Sequence, residues 1–321
     1  MRRPSVAGMV DRSSRRAEQR AARVAAGARE LRLRLADRVR RGLAEGGAGD
    51  WAEVAARMVD AQAPGLAAGA RELADLTGER QLAGYALLDL LAAACERIDE
   101  LPGPLAATVR TRVGYTVEAA DLLAGPTVRD SWLVLGGDRS ETPEKLTRRR
   151  TWLLGARTGR TALLLDYARP DAPAGPALPP GTRLDAELAF HPAAVPLRAV
   201  LGTRHGEPAP GPPFPPPGAG LLDATARYGE AVAADPWTEA VPVLLDAVVP
   251  VPGELPKDWL LTDGHHALPV HPATTGPARW LLAAVSAGHP VTVFGECGHQ
   301  GFAPVTVWDE AGDPVPLGAA R

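Results

Sequence analysis

Cysteine is almost missing from this 321-residue chain: Cys95 and Cys297 are the only two, and they lie in different halves. Two distant thiols cannot build a disulfide framework, nor the four-ligand set of a cysteine-rich zinc site. Lysine is as scarce. Only Lys145 and Lys257 occur, so 33 of the 35 basic residues are arginine. That skew matches a GC-rich bacterial genome and carries no functional signal by itself. No run of 18 apolar residues occurs, and Met1-Arg2-Arg3-Pro4-Ser5 leads into arginines instead of an apolar segment. The sequence therefore lacks a membrane-spanning helix and a secretion signal, and reads as cytoplasmic. No Gly-x-Gly-x-x-Gly and no His-x-x-x-His occurs, so neither the dinucleotide fingerprint nor a helical metal pair is present.

What remains is an ordinary globular composition, 45% apolar, long enough for two domains with cores of their own. Charge is uneven. Residues 1–50 hold 13 Arg against 6 acids, a net of +7, leaving −10 for the rest of a chain whose total is −3. A basic segment suits nucleic acid or an acidic partner. Acids interleave here (Glu18, Glu30, Asp37, Glu45) and residues 1–50 hold no aromatic to stack on bases. The expected state is a solvated or partner-facing helix, with weak nucleic-acid binding through its arginines as the alternative.

Residues 1–14 lack periodicity and are expected to be disordered. From Arg15 to Ala44, Val24, Ala28, Leu31, Leu35, Val39 and Leu43 step by three or four, one face of a helix that Gly46-Gly47 would end. Asp50 reads as an N-cap with Glu53 three residues on. The helix behind it buries Trp51, Val54 and Met58 and stops at Pro64. A short helix follows through Leu66, Ala70 and Leu73. A longer one over Glu79–Asp99 carries Leu82, Leu87, Leu88, Leu91, Cys95 and Ile98 and is closed by Pro102-Gly103-Pro104. Thr116–Leu123 would complete an α-helical domain over 15–125.

Beyond Gly125-Pro126 the period changes to two. Ser131–Leu135, Thr151–Ala156, Thr161–Tyr167 and Leu184–Phe190 read as strands, the second and third joined by a turn at Thr158-Gly159. These form a β-rich stretch over 126–205. Seven prolines between Pro208 and Pro217 mark 206–220 as a stiff linker or loop. Over 221–321 a helix, Leu221–Ala234, precedes strands near Val241–Val251, Trp259–Thr262, His266–Val270, Val291–Phe294 and Val305–Trp308. A helix beginning at Pro277 lies among them. The fold class is α+β, with an all-α half and a mainly antiparallel β-rich half. No internal repeat is visible.

Each candidate for chemistry meets a structural counter-reading. Gly155-Ala156-Arg157-Thr158-Gly159-Arg160-Thr161 resembles a phosphate loop, but it is one residue short, has Arg160 where lysine is needed, and joins two strands. Ser286 in Ala284-Val285-Ser286-Ala287-Gly288 sits at a helix end, not at a strand-to-helix elbow. His265, His266, His271, His289 and His299 crowd the last 60 residues beside Cys297, but they fall in turns. Asp185 and Glu187 alternate with buried positions and read as the wet side of a sheet. No residue earns a catalytic, cofactor-binding or metal-binding role, and an enzyme with a site in the C-terminal β-rich half is the remote alternative.

One resemblance emerges from longer runs. Ala55–Ala67, around Arg57-Met58-Val59-Asp60-Ala61-Gln62-Ala63-Pro64-Gly65-Leu66, is similar to the segment that follows the zinc finger in bacterial SWIM zinc-finger proteins. Leu31–Leu43, Leu101–Ala106 with Val109–Gly114, Arg149–Leu153, Leu184–Phe190 and Pro290–Glu296 resemble further parts of that family. The family's finger is Cys-x-Cys, a spacer, then Cys-x-His. No Cys-x-Cys exists here, and Cys297-Gly298-His299 stands at the wrong end, so the zinc site transfers to no residue. The resemblance implies a family that binds zinc and mediates DNA or protein contacts; with no motif for chemistry here, the expected role is a non-catalytic accessory or scaffold protein without cofactor. The resemblance also implies protein contacts, with an AAA-type ATPase system as the family's usual associate, and a finger lost or lying upstream of Met1.

Overall fold

The computed structural model describes residues 6–42, 48–142, 145–169, 178–212, 215, 217–255 and 258–318. The chain divides into two compact units, Met1–Thr116 with Pro192–Ala194, and Val117–His191 with Val195–Arg321.

The first unit is helical. α1 (Val6–Arg41) begins inside the stretch expected to be disordered; residues 1–5 lie outside the described ones. Ala, Arg and Glu are strong helix formers, and extending a nucleated helix costs little. Val24, Ala28, Leu31 and Leu35 are buried, as their spacing requires, but Val39 is 50% exposed. The helix ends before Gly42, whose φ of +98° an L side chain rarely adopts. Leu43 and Gly46-Gly47 fall outside the described residues. α2 (Ala48–Asp60) starts two residues ahead of Asp50, which therefore lies in the first turn and not at the cap. A carboxylate there still suits the helix dipole. Trp51, Val54 and Met58 are buried, and Trp51 meets Tyr85 edge-on at 5.4 Å.

Pro64 opens α3 (Pro64–Glu72) instead of ending α2. α4 (Gly78–Glu96) buries Tyr85, Leu88, Leu91 and Cys95, while Leu82 and Leu87 stay exposed at 58% and 40%. Pro102-Gly103-Pro104 likewise opens a helix. α5 (Gly103–Val113), absent from the sequence reading, buries Ala106, Val109 and Val113. Proline lacks only an N–H that a first helical turn leaves free anyway. α1 packs on α4 and α2, and α3 on α2, α4 and α5. At Gly65 a Cβ would strike the Arg112 carbonyl, so α3 and α5 meet backbone to backbone.

The second unit is β-rich. α6 (Ala119–Leu123) packs on its strands and does not complete the helical half. β1 (Val128–Glu141), β2 (Thr147–Gly155), β3 (Thr161–Ala168), β4 (Thr182–Phe190) and β5 (Arg198–Arg204) form a closed ring. β1 pairs with β2, β2 with β3, β5 with β4 and β4 with β1, all antiparallel, while β3 and β5 run parallel. Trp132, Val134, Leu153, Ala162, Leu184, Ala186 and Leu188 fill the interior. The Trp132 indole N–H donates to the Ala186 carbonyl at 2.9 Å. β6 (Ala209–Pro210) adds to the edge of β4, so the proline-rich stretch begins as part of the sheet.

The pattern then recurs. α7 (Leu221–Ala234) precedes β7 (Ala240–Val251), β8 (Leu260–Thr262) and β9 (Ala267–Pro269); α8 (Gly276–Ser286) follows, then β10 (Val291–Gly298), β11 (Gly301–Trp308) and β12 (Pro314–Pro316). β8 pairs antiparallel with β7 and β9, and β10 with β7 and β11. A parallel bridge from Val270 to Phe302 joins the end of β9 to β11. Both rings thus have the order 1-2-3-5-4-1 with strands 3 and 5 parallel, the arrangement of the OB Greek-key barrel. The duplication is one of topology and not of sequence. The α+β class holds, with a helical bundle followed by a mainly antiparallel β-rich region.

Candidate functional site

Three arginines of α1, Arg29, Arg32 and Arg40, are paired with carboxylates. Arg32 bonds Asp89 at 3.1 Å and Glu96 at 3.2 Å, Arg29 bonds Glu96 at 3.3 Å, and Arg40 bonds Asp37 at 3.0 Å. Arg57 of α2 spans Glu30 and Glu53 at 2.6 and 2.8 Å. Arg20 lies over the Tyr115 ring at 4.0 Å and donates to the Gly114 carbonyl. Each such pair is worth little to stability at the surface. Together they neutralise the arginines that border α4.

Between α1 and α4 these pairs rim a groove of about 620 Å³. Leu33, Val39 and Leu82 line it at 64%, 50% and 58% exposure, with Leu35 and Tyr85 buried and Ala36 and Ala86 beside them. Periodicity had placed Val39 and Leu82 in the core. Their exposure leaves an apolar row on two adjacent helices with charge on its borders.

In the second unit the Gly155–Arg160 segment is the hairpin turn between β2 and β3. Its amides do hold an anion, but the anion belongs to the chain. The Asp130 carboxylate accepts from the N–H of Arg157 and Thr158 at 3.1 and 2.9 Å, from the Ser131 N–H at 2.7 Å and from the Thr158 hydroxyl at 2.7 Å. Burial alone would raise the pKa of Asp130; these four hydrogen bonds outweigh it and hold the carboxyl below its ordinary range. Asp185 and Glu187 are outward ion-pair partners. Asp185 takes both Nε and Nη2 of Arg129, and Glu187 meets Thr127 and His205 at 3.2 and 3.0 Å.

The histidines do not converge with Cys297. That thiol is buried in the second barrel's core, inside β10 instead of in a loop, and burial pushes its pKa up. His265 and His266 cap a turn on Asp263, His271 Nδ1 accepts from the Ala273 N–H, and His299 is exposed. Among the described residues no three His, Cys, Asp or Glu come together to hold a metal ion. Ser286 is buried, and its hydroxyl donates to the His289 carbonyl at 2.6 Å, locking the turn after α8.

Where the barrels meet, Trp152, Leu133 and Leu135 pack on Leu244, Phe294, Val305 and Trp308, with Leu154 and Leu163 alongside. Arg150 crosses the junction. It bonds Glu296 in a fork at 2.9 and 2.7 Å and Asp138 at 3.2 Å. OB barrels commonly bind oligonucleotides across strands 2 and 3. Here Trp152, Leu154 and Leu163 of those strands in the first barrel pack against the second, while Tyr167 stays exposed. Residues 221–321, which include the second barrel, hold 12 acids against 4 bases, a poor surface for phosphate.

The first barrel also has an opening of about 510 Å³ flanked by Arg149, His191, Arg198 and Arg204. No spacing rule connects these residues, which come from two strands and a loop. Burial, and then the charge of Arg198, hold His191 below its usual pKa.

Residues 19–113 match the family described as the SWIM-associated four-helix bundle domain. The match coincides with the helical unit and lacks the finger. The resembling runs at 149–153, 184–190 and 290–296 lie outside it. No curated protein and no solved structure matches the chain. Among the described residues no helix is long and apolar enough to cross a membrane.

Proposed function

We propose that the chain is a non-catalytic interaction protein whose SWIM-associated helical domain receives a helix of a partner protein in the α1–α4 groove. The exposed row of Leu33, Val39 and Leu82 carries this reading. An amphipathic helix laid in such a groove anchors by apolar side chains at i, i+3, i+4 and i+7. The rim offers both signs of charge, through Arg29, Arg40, Asp89 and Glu96, which suits register more than affinity. By family resemblance, the candidate partner is an AAA-type ATPase.

The test compares the full chain with a Leu33→Glu/Leu82→Glu variant as immobilised baits in lysate of the source cells. Both positions are exposed, so the variant is expected to keep its circular dichroism and melting point. A protein held by the wild type and lost from the variant supports the groove. Equal retention by both baits contradicts it.

The nucleic-acid alternative loses support from the ion pairs of α1. Fluorescence anisotropy with labelled single- and double-stranded DNA is expected to show no complex tighter than about 10 μM at physiological salt, the weak non-specific range. Submicromolar binding that disappears in a chain starting near Asp50 would restore that alternative.

A further inference from the structure

Among the described residues the wall of the first barrel is incomplete. β3 and β5 pair only through Leu163–Leu164 and Arg198–Ala199, yet β3 continues to Ala168 and β5 to Arg204. Each strand is paired on its other side, β3 with β2 and β5 with β4. Past the last shared pair the two strands part, and the gap leads to the 510 Å³ opening. That volume falls within the range of small-molecule pockets, which favour barrel mouths.

The floor is the barrel core: Leu164, Leu184 and Ala199, at 8%, 1% and 4% exposure, with Thr151 beside them. The rim is basic. Arg149 is engaged by Asp166 at 2.9 Å, and Asp166 is the sole acid in the lining. Arg198 and Arg204 have no carboxylate partner among the described residues. The contrast with α1 matters, because there the arginines facing the groove are neutralised. An apolar slot with guanidinium groups at its edge matches a ligand with one greasy and one anionic end. A guanidinium forks readily onto a carboxylate, sulfonate or phosphate.

We propose that this opening binds an organic anion with an apolar body, such as an alkyl or aryl carboxylate. The apolar part enters between β3 and β5 toward Leu184, and the anionic group stays at the rim with the arginines of β5. The site is separate from the helical groove, so the two proposals stand or fall independently.

The test uses the full chain and the fluorescent probe anilinonaphthalene sulfonate, an aryl anion of this class. Saturable binding is expected, with displacement by decanoate at least about tenfold stronger than by decanol, since a charged hydrogen bond is lost in the alcohol. An Arg198→Gln/Arg204→Gln variant changes two exposed side chains and is expected to melt like the wild type. Its Kd for the probe should rise by about tenfold or more, the loss expected when charge-assisted bonds are removed. The Leu33→Glu/Leu82→Glu variant should bind the probe unchanged. Equal displacement by decanoate and decanol, an unaltered Kd in the arginine variant, or loss of binding in the groove variant would each overturn the proposal.

Discussion

The two barrels of the second unit solve one topology with different materials. The first seats Trp132 in its interior, closes β3 to β5 over two residue pairs, and carries an arginine-lined gap beyond them. The second is acidic, joins β9 to β11 through a single bridge, and inserts α8 between its third and fourth strands. Leu282 and Ala278 of that helix enter the same core as Phe302 and Val293. A helix anchored in the core can compensate for a short strand junction. Among the described residues the first barrel has no helix between β3 and β4, and β3 and β5 share only two residue pairs. The fold alone thus sets the strand order, while local filling decides whether a cavity remains.

The largest effects should come from the barrel interiors. Trp132→Ala and Phe302→Ala each remove a fully buried aromatic and should cost about 3–5 kcal/mol. Because the junction between the barrels is itself a packed core, both substitutions should shift one shared unfolding transition of this unit. Denaturant titration followed by tryptophan fluorescence reads this. Two transitions, each moved by only one variant, would show that the barrels fold separately.

Much of the fold was legible before the structure, and the losses have identifiable causes. Periodicity located α1, α4 and the Leu221–Ala234 helix, because one stripe of each faces a core. It missed α5 because Pro102-Gly103-Pro104 was read as a stop, although Pro104 sits in a first turn where proline is tolerated. Alternation located most strands. It could not show ring closure, which rests on two parallel pairs in one barrel and one bridge in the other. The duplication was hidden for a related reason. Topology is carried by pairing partners, and β1 with 14 residues and β7 with 12 share no evident motif. The helical groove was misread because Leu82 and Val39 look like core residues; only the packing of α1 on α4 shows that nothing covers them. Arg149, His191, Arg198 and Arg204 converge through the fold, so no motif announced the barrel opening.

The junction offers the next largest effect. Arg150→Ala would leave Glu296 and Asp138 facing each other, both mostly buried. Burial already raises the Asp138 carboxyl above its ordinary pKa despite the Arg150 charge. Stranding these acids should cost roughly 2–4 kcal/mol, less than for a fully buried pair because water still reaches the group. The loss should shrink in Arg150→Met/Asp138→Asn/Glu296→Leu, where neither carboxylate is stranded; equal losses in both variants would make packing, not charge, the cause.

A smaller effect distinguishes the turn of the first barrel. Asp130 has a folded pKa below its unfolded value. Its contribution is therefore complete above the unfolded pKa, near pH 4, and is lost as pH falls through the folded value. Asp130→Asn should cost about 1–3 kcal/mol at pH 7, the usual loss for hydrogen bonds to a charged group. It should also flatten the loss of stability below about pH 4. An unchanged acid limb, measured by urea titration between neutral and acid pH, would remove Asp130 from that role.

The interaction reading stands on the α1–α4 groove, and hydrogen exchange tests it most directly. The full chain is labelled alone and with the protein retained by the wild-type bait, and exchange is followed by mass spectrometry. Docking predicts slowed exchange in peptides covering Leu33–Arg41 of α1 and Leu82–Asp89 of α4, with the barrels unaffected. Protection confined to the barrels, or none on α1 and α4, would contradict the account.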